Sequence, residues 1–495
     1  MQLAQDPYDL FAYPAFSYSN THPDRLAVMA TLHGLSPAPV DRCRVLEIAC
    51  NEGANLIPMA YAMPRSEFVG FDLAHAPVAR AQLRIRELGL TNVRIFASDL
   101  LNVGTDLGRF DYIIAHGLYG WVPEPVCDRL LGLCGELLEP QGVAFVSYNA
   151  LPGSHVRRML RDMMLFRVKD IEGSAQREDE AVKFLHLVAS TRPENDIYRM
   201  LIETQLQRIE ARQPNVTIHD ELGETFDPVH FIDFAGHAQR HGLQYLTDAE
   251  IPPPPDPGYR FDLRADLENV AGNDFLRQEQ ALDFMRVRQY RETLLCRAEL
   301  KLQREFAPEQ FGHLLYASQA TSIRNEGSET PVFQLPGGIK MESNHPVANA
   351  LLNELQKAWP RALAYDELAP RLAETGFVLD AAGAALLMKL AISKMIELRM
   401  WRAPVAAAIS ERPRASAYSR CEGKTGQRAT TLLHLTIKLD DAHLRKFLQL
   451  LDGTRTRNEL LDAMKVAFPE MPVRELEEGI DLSLRNLYLA GVLEA

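Results

Sequence analysis

RVLEIACNEGANLIPMA, residues 44–60, is a buried strand that runs through a tight turn into an apolar helix. Val45, Leu46 and Ile48 supply the strand. Where a phosphate-binding loop would place several glycines, this turn has Ala49 and Asn51 and keeps only Gly53. A strand–turn–helix unit of this kind opens a parallel α/β sheet, and its turn lies at the carboxyl edge where such sheets bind ligands.

Outward from this unit the alternation continues. Apolar runs at 67–72, 92–97, 110–115 and 142–148 predict four further strands, with helices near 53–63, 75–88 and 124–138 between them. Short β-rich runs separated by helices of this length predict a parallel sheet covered on both faces. Before it, THPD (21–24) has the form of a capping box with Thr21 as N-cap and Pro23 in the first turn, opening a helix striped by Leu26, Met29 and Leu32. Residues 153–212 turn helical, and 243–247 and 290–297 are read as late strands of the same sheet. IPPPPDPGY (251–259) reads as a stiff polyproline-type connector. FQLPGGIKMESNHP (333–346) reads as a turn-rich junction. Beyond it, AYDELAPRL (364–372) resembles TRNELLDAM (456–464), each followed by a long apolar helix, so two winged-helix-like units are expected with 405–428 as their linker.

A chain of 495 residues exceeds one ordinary core. A net charge of −13 argues against nucleic acid as partner, and no apolar run is long enough to span a bilayer. The six cysteines form no metal spacing and read as reduced thiols, no metal is expected, and MQLAQDPYDLF lacks a signal-peptide pattern, so a cytoplasmic protein is expected.

The loop is too poor in glycine for a pyrophosphate, which needs several bare N–H groups. A nucleoside needs less. Asn51 tolerates positive φ, and Ala49 suits the turn if its own φ is negative. Asp72, ending the second strand, is placed to accept from both ribose hydroxyls, and Asp99, after the third, can meet an adenine amino group. Each also has a plain structural use: Asp72 as a cap for the helix at 75–88, Asp99 as a cap for a local turn.

This series resembles the class I S-adenosylmethionine-dependent methyltransferases, whose acidic-x-Gly-x-Gly-x-Gly loop aligns with Glu47-Ile48-Ala49-Cys50-Asn51-Glu52-Gly53. The resemblance implies an α/β, Rossmann-like class I methyltransferase domain with a helical insertion, plus a mostly helical, winged-helix-like C-terminal region. It implies S-adenosylmethionine as cofactor, held by Glu47, Ala49, Cys50, Asn51, Gly53 and Asn55, by Asp72 and Leu73, by Ser98, Asp99 and Leu100, and by His116. THPDRLAVMATLHGL, NEGANLIPMAYAMP, FDYIIAHGLYGWVP, SYNALPG and FIDFAGHAQRHGLQYL narrow it to bacterial methyltransferases with a methyltransferase regulatory domain. Those include rickettsial lysine methyltransferases that modify outer-membrane proteins. The expected layout is a cofactor core at 1–152, a helical insertion at 153–225, a regulatory-like segment completing the sheet at 226–305, and winged-helix-like units at 306–404 and 429–495.

The acceptor this implies is a lysine amine on a protein, such as an outer-membrane or surface protein before export. Tyr18, Tyr119, Trp121 and Tyr148 are candidates for an aromatic pocket around it, Asn149 for orienting the amine, His116 for a base, and Arg25 for the cofactor's carboxylate. Aromatic faces favour sulfonium and methylammonium cations, and burial brings an amine toward its reactive neutral form. The Asn/Asp-Pro-Pro-aromatic motif of adenine and glutamine methyltransferases is replaced by His116-Gly117-Leu118-Tyr119, which disfavours planar amides. A small-metabolite acceptor and a non-catalytic binding module stay open as alternatives, and the helical units suit substrate selection or a homodimer.

Overall fold

The structure is a computed structural model that describes residues 13–212, 215–251, 263–306, 308–323, 330–379 and 381–495. Residues 252–259 of the proline-rich connector lie outside them.

A seven-stranded sheet with the order β3-β2-β1-β4-β5-β7-β6 organises the first 300 residues. Its strands are β1 (Arg44–Ile48), β2 (Glu67–Asp72), β3 (Val93–Ala97), β4 (Phe110–Tyr119), β5 (Leu138–Asn149), β6 (Leu243–Asp248) and β7 (Tyr290–Arg297). The first five pair in parallel, β7 runs antiparallel between β5 and β6, and both late strands join the sheet as the sequence predicts. The strand order reverses between β1 and β4, which opens the ligand crevice of a doubly wound sheet at the end of β1.

Period-two alternation assigns the two faces. Tyr112, Ile114, Val143 and Phe145 point to one side, where α1 (Pro23–Leu32), α2 (Leu56–Ala62) and α3 (His75–Leu88) pack together with the 311–398 region. Ile113, Ala115, Ala144 and Val146 point to the other, beneath α4 (Glu124–Leu137) and, further along the chain, α9 (Phe231–Arg240). Between the two halves of the sheet, α5 (Ser154–Val168), α6 (Ser174–Ser190) and α7 (Ile197–Glu210) build a small core of their own, followed by the short α8 (Val216–Asp220). After β6 come α10 (Leu263–Ala271) and α11 (Phe275–Arg286).

Two expectations are corrected. The first helix has no Thr21 capping box. His22 is its N-cap, its Nδ1 accepting from Asp24 N–H at 3.1 Å, while the Asp24 carboxylate accepts from Met400 and Trp401 N–H. Asp24 thus ties the N-terminal helix to the C-terminal half, a partner no local pattern reveals. Residues 405–428 are not a linker. They contain a helix (Ala417–Thr425) and pair with the last residues through Val405–Glu494 and Ala415–Leu493, inside the final unit. The turn-rich junction at 333–346 is built on a hairpin, Val332–Gln334 against Lys340–Glu342, within a three-stranded sheet and ahead of the helix Pro346–Ala358.

The repeat noticed in the sequence is structural. Leu363–Ala364, Leu315–Ala317 and Glu397–Arg399 form the small sheet of the first unit, with the helix Tyr365–Glu374. Arg428–Thr430 and Thr436–Lys438 form the hairpin of the second, with the helix Arg457–Ala467. In each helix a glutamate at the third position accepts from the N-cap backbone, Glu367 from Ala364 and Glu459 from Thr456. No helix among the described residues is long and apolar enough to cross a membrane.

Candidate active site

The turn after β1 takes positive φ at all three motif positions: Ala49 at 58°, Asn51 at 49° and Gly53 at 70°. The negative φ expected of Ala49 is therefore corrected. Cys50 N–H still reaches the Phe71 carbonyl at 3.1 Å and Asn51 N–H reaches Asp72 Oδ2 at 2.7 Å, so the chain has to swing at residue 49 to make both bonds. Alanine carries the smallest Cβ and bears the left-handed penalty of about 1–2 kcal/mol that a bulkier side chain would exceed. Gly53 has no such latitude, since a Cβ there would stand 2.6 Å from Ile95 Cδ1.

Asp72 does two jobs in the backbone: Oδ2 holds Asn51 N–H, and Oδ1 accepts from Ala74 N–H at 2.9 Å at the start of α3. Leu73 is exposed beside it. Asp99 caps a single turn through Leu101 N–H at 2.9 Å, with Ser98 N–H on the Asp72 carbonyl and Leu100 buried behind. Cys50 is buried under the loop, and burial holds its thiol well above the ordinary range, so it is packing and not a nucleophile.

Asn55 is the keystone. Its Nδ2 donates to Glu47 Oε1 at 2.8 Å and Thr21 Oγ1 at 2.9 Å, and its Oδ1 accepts from Tyr18 N–H at 2.9 Å and His434 Nε2 at 2.8 Å. One buried amide thereby joins β1, the N-terminal segment and the C-terminal unit. Burial pushes the Glu47 carboxyl up to about 8, opposed by the Asn55 bond and assisted by the Asp72 charge. Glu47 Oε2, Asn51 Oδ1 and Asn149 Nδ2 are buried without a hydrogen-bond partner among the described residues. Buried orphans are rare, and three of them at the strand ends around one crevice are what a polar small molecule would satisfy.

Tyr18 lies over His116, ring centroids 3.7 Å apart at 23°, and His116 is backed by Phe145 at 6.0 Å. Tyr290 stands edge-on to His116. Burial lowers the His116 imidazole to about 4, so it is neutral near pH 7 and a weak base. Burial, with Glu47 and Asp220, holds the Tyr18 phenol un-ionised, and burial does the same at Tyr290. Beside them Asn149 Oδ1 accepts from Arg157 at 3.3 Å, and Arg157 binds Asp220 at 3.2 Å and Glu221 at 2.8 Å. Trp121 joins this side through Arg157, whose guanidinium lies 5.0 Å from its ring centroid, with Phe226 as its aromatic neighbour.

Tyr119 and Tyr148 do not join the pocket. Tyr148 is fully buried, stacked on Phe234 at 4.1 Å with its hydroxyl on Thr293, and Tyr119 packs edge-on to both rings. Alternation sets 148 with 146 on the α4–α9 face and 145 and 149 on the other, and a bulge at Gly117 brings Tyr119 opposite Tyr148. Arg25 is also redirected, its Nε donating to the Ala249 carbonyl at 2.9 Å amid Glu250, Glu397 and Glu292. Sequence reasoning missed Tyr290, Asp220, Arg157 and His434. Of these only Tyr290 left a signal, since it starts the strand whose register sets it opposite Asn149.

Comparison with known proteins agrees with this geometry. Residues 45–142 match the methyltransferase domain family, 213–297 the predicted methyltransferase regulatory domain, and 411–472 the PKMT C-terminal winged helix domain. The uncharacterized protein RP028 of Rickettsia prowazekii is 32% identical over 244 residues, 48% of this chain and 96% of its own. RP789 of the same organism is 33% identical over 302 residues, 60% of this chain and 54% of its own, so the match spans about half of that relative. The structure of PKMT2 from Rickettsia typhi, in complex with AdoHcy, superposes with a TM-score of 0.87 at 24% identity, over 97% of this chain and 99% of that one, which establishes a shared fold. With the loop, the strand order and all three matched segments in place, the chain belongs to the class I methyltransferases that join a methyltransferase domain to a methyltransferase regulatory domain and a PKMT-type winged helix.

Proposed function

We propose that this chain moves a methyl group from S-adenosylmethionine to the side-chain amine of a protein lysine. The observation that carries the reading is the crevice itself, with the loop, Asp72 and Asp99 on one side of the stacked Tyr18–His116 pair and the Asn149, Asp220 and Tyr290 cluster on the other. Asp72 would hold the ribose hydroxyls, Asp99 the adenine edge, and Glu47 and Asn51 the polar methionine end. When bound, the cofactor supplies an electrophilic methyl on a sulfonium, so the protein's share is alignment and exclusion of water.

On the acceptor side, the Asp220 charge, balanced by Arg157 and Arg212, draws a cationic side chain toward the aromatic wall. A neutral imidazole and two un-ionised phenols then surround the amine, and the nearby Asp220 carboxylate is already offset by its two arginines. That setting favours its deprotonated form, although its pKa in water is about 10.4. His116 is too weakly basic to take the proton, so it acts as a wall and hydrogen-bond acceptor, and the proton leaves to solvent as the amine enters the pocket. Incubation of the enzyme with methyl-labelled cofactor and bacterial lysate should label protein, with the label recovered as methyl-lysine after hydrolysis. Label confined to small molecules would end the protein reading.

Glu47 gives this reading a pH signature. Near neutrality its carboxyl is largely protonated in the free protein, and a neighbouring cationic ammonium favours the ionised form. Cofactor affinity should therefore rise with pH between about 6 and 8 and level off above, with proton release on binding. Calorimetric titration in buffers of different ionisation enthalpy reads both. Glu47→Gln should flatten the profile, and an equally steep profile in that variant removes Glu47 from the site.

The helical insertion leaves Ile197 and Met200 exposed at 82% and 56%. A second copy of the chain is the occupant proposed for this face. Sedimentation velocity should give twice the chain mass, falling to the monomer for Ile197→Asp; a wild-type monomer ends the proposal.

A further inference from the structure

Outside the crevice, on the opposite face of the sheet, Asp128 of α4 meets two histidines of α9. Asp128 Oδ1 lies 3.0 Å from His237 Nε2 and 2.8 Å from His241 Nε2, and all three donor atoms fall within 4.8 Å of one another. We propose that Asp128, His237 and His241 form a divalent transition-metal site, zinc being the ion their chemistry suits best, that clasps the 213–297 segment to the methyltransferase core.

Four observations support a built site. His237 and His241 are four residues apart at the end of one helix, so both rings project to the same side. Facing them, α4 presents Asp128, Gly132 and Gly135 along one stripe, and Gly135 makes room for the close approach. A Cβ at Gly135 would stand 2.2 Å from the His241 carbonyl oxygen, whereas one at Gly132 would only touch its ring. The third observation is an outer partner. His237 Nδ1 lies 3.0 Å from the Tyr119 hydroxyl, so with its proton on Nδ1 the ring donates to Tyr119 and turns its Nε2 lone pair toward Asp128 and His241. Metal-binding histidines are held in this manner. The fourth is access: the Asp128 side chain is 57% exposed, leaving a coordination position for water, while His237 is only 6% exposed.

Two imidazoles and one carboxylate with an open position match zinc's preference for nitrogen and oxygen donors at about 2.0–2.2 Å. In a tetrahedral arrangement at those lengths, donor atoms stand about 3.3 Å apart. The two spacings from Asp128 Oδ1, 3.0 Å and 2.8 Å, are a few tenths of an ångström shorter, and the exposed Asp128 can yield by that much. On binding, each imidazole keeps one proton, on Nδ1, and no other bond is made or broken. All six cysteines are buried and do not compete. Tyr119 closes the chain of contacts at the end of β4, three residues beyond His116, so occupancy would stiffen the strand that carries the crevice's own histidine.

The test uses the full chain, stripped with a chelator and titrated with cobalt(II), then zinc. One equivalent of cobalt should give the visible absorption of a four-coordinate nitrogen–oxygen site without thiolate charge-transfer bands, and zinc should abolish it. Zinc should also raise the unfolding temperature by a few degrees. Tyr119→Phe should weaken binding by about 10–100-fold, the usual cost of an outer partner, and His241→Gln by more. His241 is partly exposed, so His241→Gln should fold; its far-UV circular dichroism checks that, and Asp128→Asn serves as a second variant. No cobalt spectrum at one equivalent, thiolate bands, or undiminished affinity in both His241→Gln and Asp128→Asn would each overturn the proposal and leave a hydrogen-bonded cluster only.

Discussion

Asp72→Asn should leave a folded protein whose affinity for S-adenosylmethionine has fallen by two orders of magnitude or more. The substitution keeps the shape and one acceptor oxygen, so one of the two bonds from Asn51 N–H and Ala74 N–H is kept and the other is lost, at a cost of about 1–3 kcal/mol that leaves the fold in place. What disappears is the carboxylate that would accept from two ribose hydroxyls. A hydrogen bond to a charged group contributes about 1.5–3 kcal/mol, so two represent about 3–6 kcal/mol. Each 1.4 kcal/mol is roughly tenfold in affinity. Calorimetric titration beside far-UV circular dichroism separates loss of binding from loss of fold. Unchanged affinity in the folded variant would remove Asp72 from the site and with it the class I reading of the crevice.

Arg291→Met should be the most destabilising single change in the sheet, at about 3–5 kcal/mol, the range for stranding a buried charge by removing its partner. Arg291 is fully buried on β7. Its guanidinium binds Asp283 through two bonds of 2.8 Å, Asp248 at 2.9 Å and Glu279 at 3.1 Å, and lies over the Phe231 ring. One side chain therefore pins β6, β7, α9 and α11. Without it the three acids face one another with Arg288 and the Tyr245 hydroxyl in support. Burial already raises Asp283 and Glu279, and loss of the arginine raises them further. These are acids with raised folded-state pKa values, so the folded variant binds protons that the unfolded chain gives up as pH rises above about 4. The variant should accordingly lose stability as pH increases from 5 to 8. Urea unfolding at both pH values reads this, and a loss below about 1 kcal/mol at pH 8 would show that the cluster is not the clamp described.

Several elements were legible because their causes are local. The apolar runs, the place of the turn after β1, the acid ending β2, the acid following β3 and the two late strands follow from patterns of a few residues, although the turn's backbone at Ala49 does not. The aromatic pocket was half legible. Tyr18 and His116 meet, but strand alternation already sets Tyr148 and Asn149 on opposite faces, and a bulge at Gly117 carries Tyr119 to the side of Tyr148. The Thr21 capping box failed for another reason. Its pattern is right for an isolated helix, yet Thr21 instead donates to the Tyr18 carbonyl and accepts from Asn55.

The sequence by itself determined a parallel α/β core, the nucleoside-type loop at residues 47–53 and the paired helical units near the C-terminus. Periodicity and turn chemistry act within a few residues of their source. The tertiary structure alone decided what closes the crevice. His434 reaches Asn55 across 379 positions and Asp220 arrives from the far side of the helical insertion. Ala49 takes a conformation that only its bonded neighbours on β2 enforce. Such contacts depend on how whole elements pack, and a chain of letters carries no record of which distant side chain will fill a given gap.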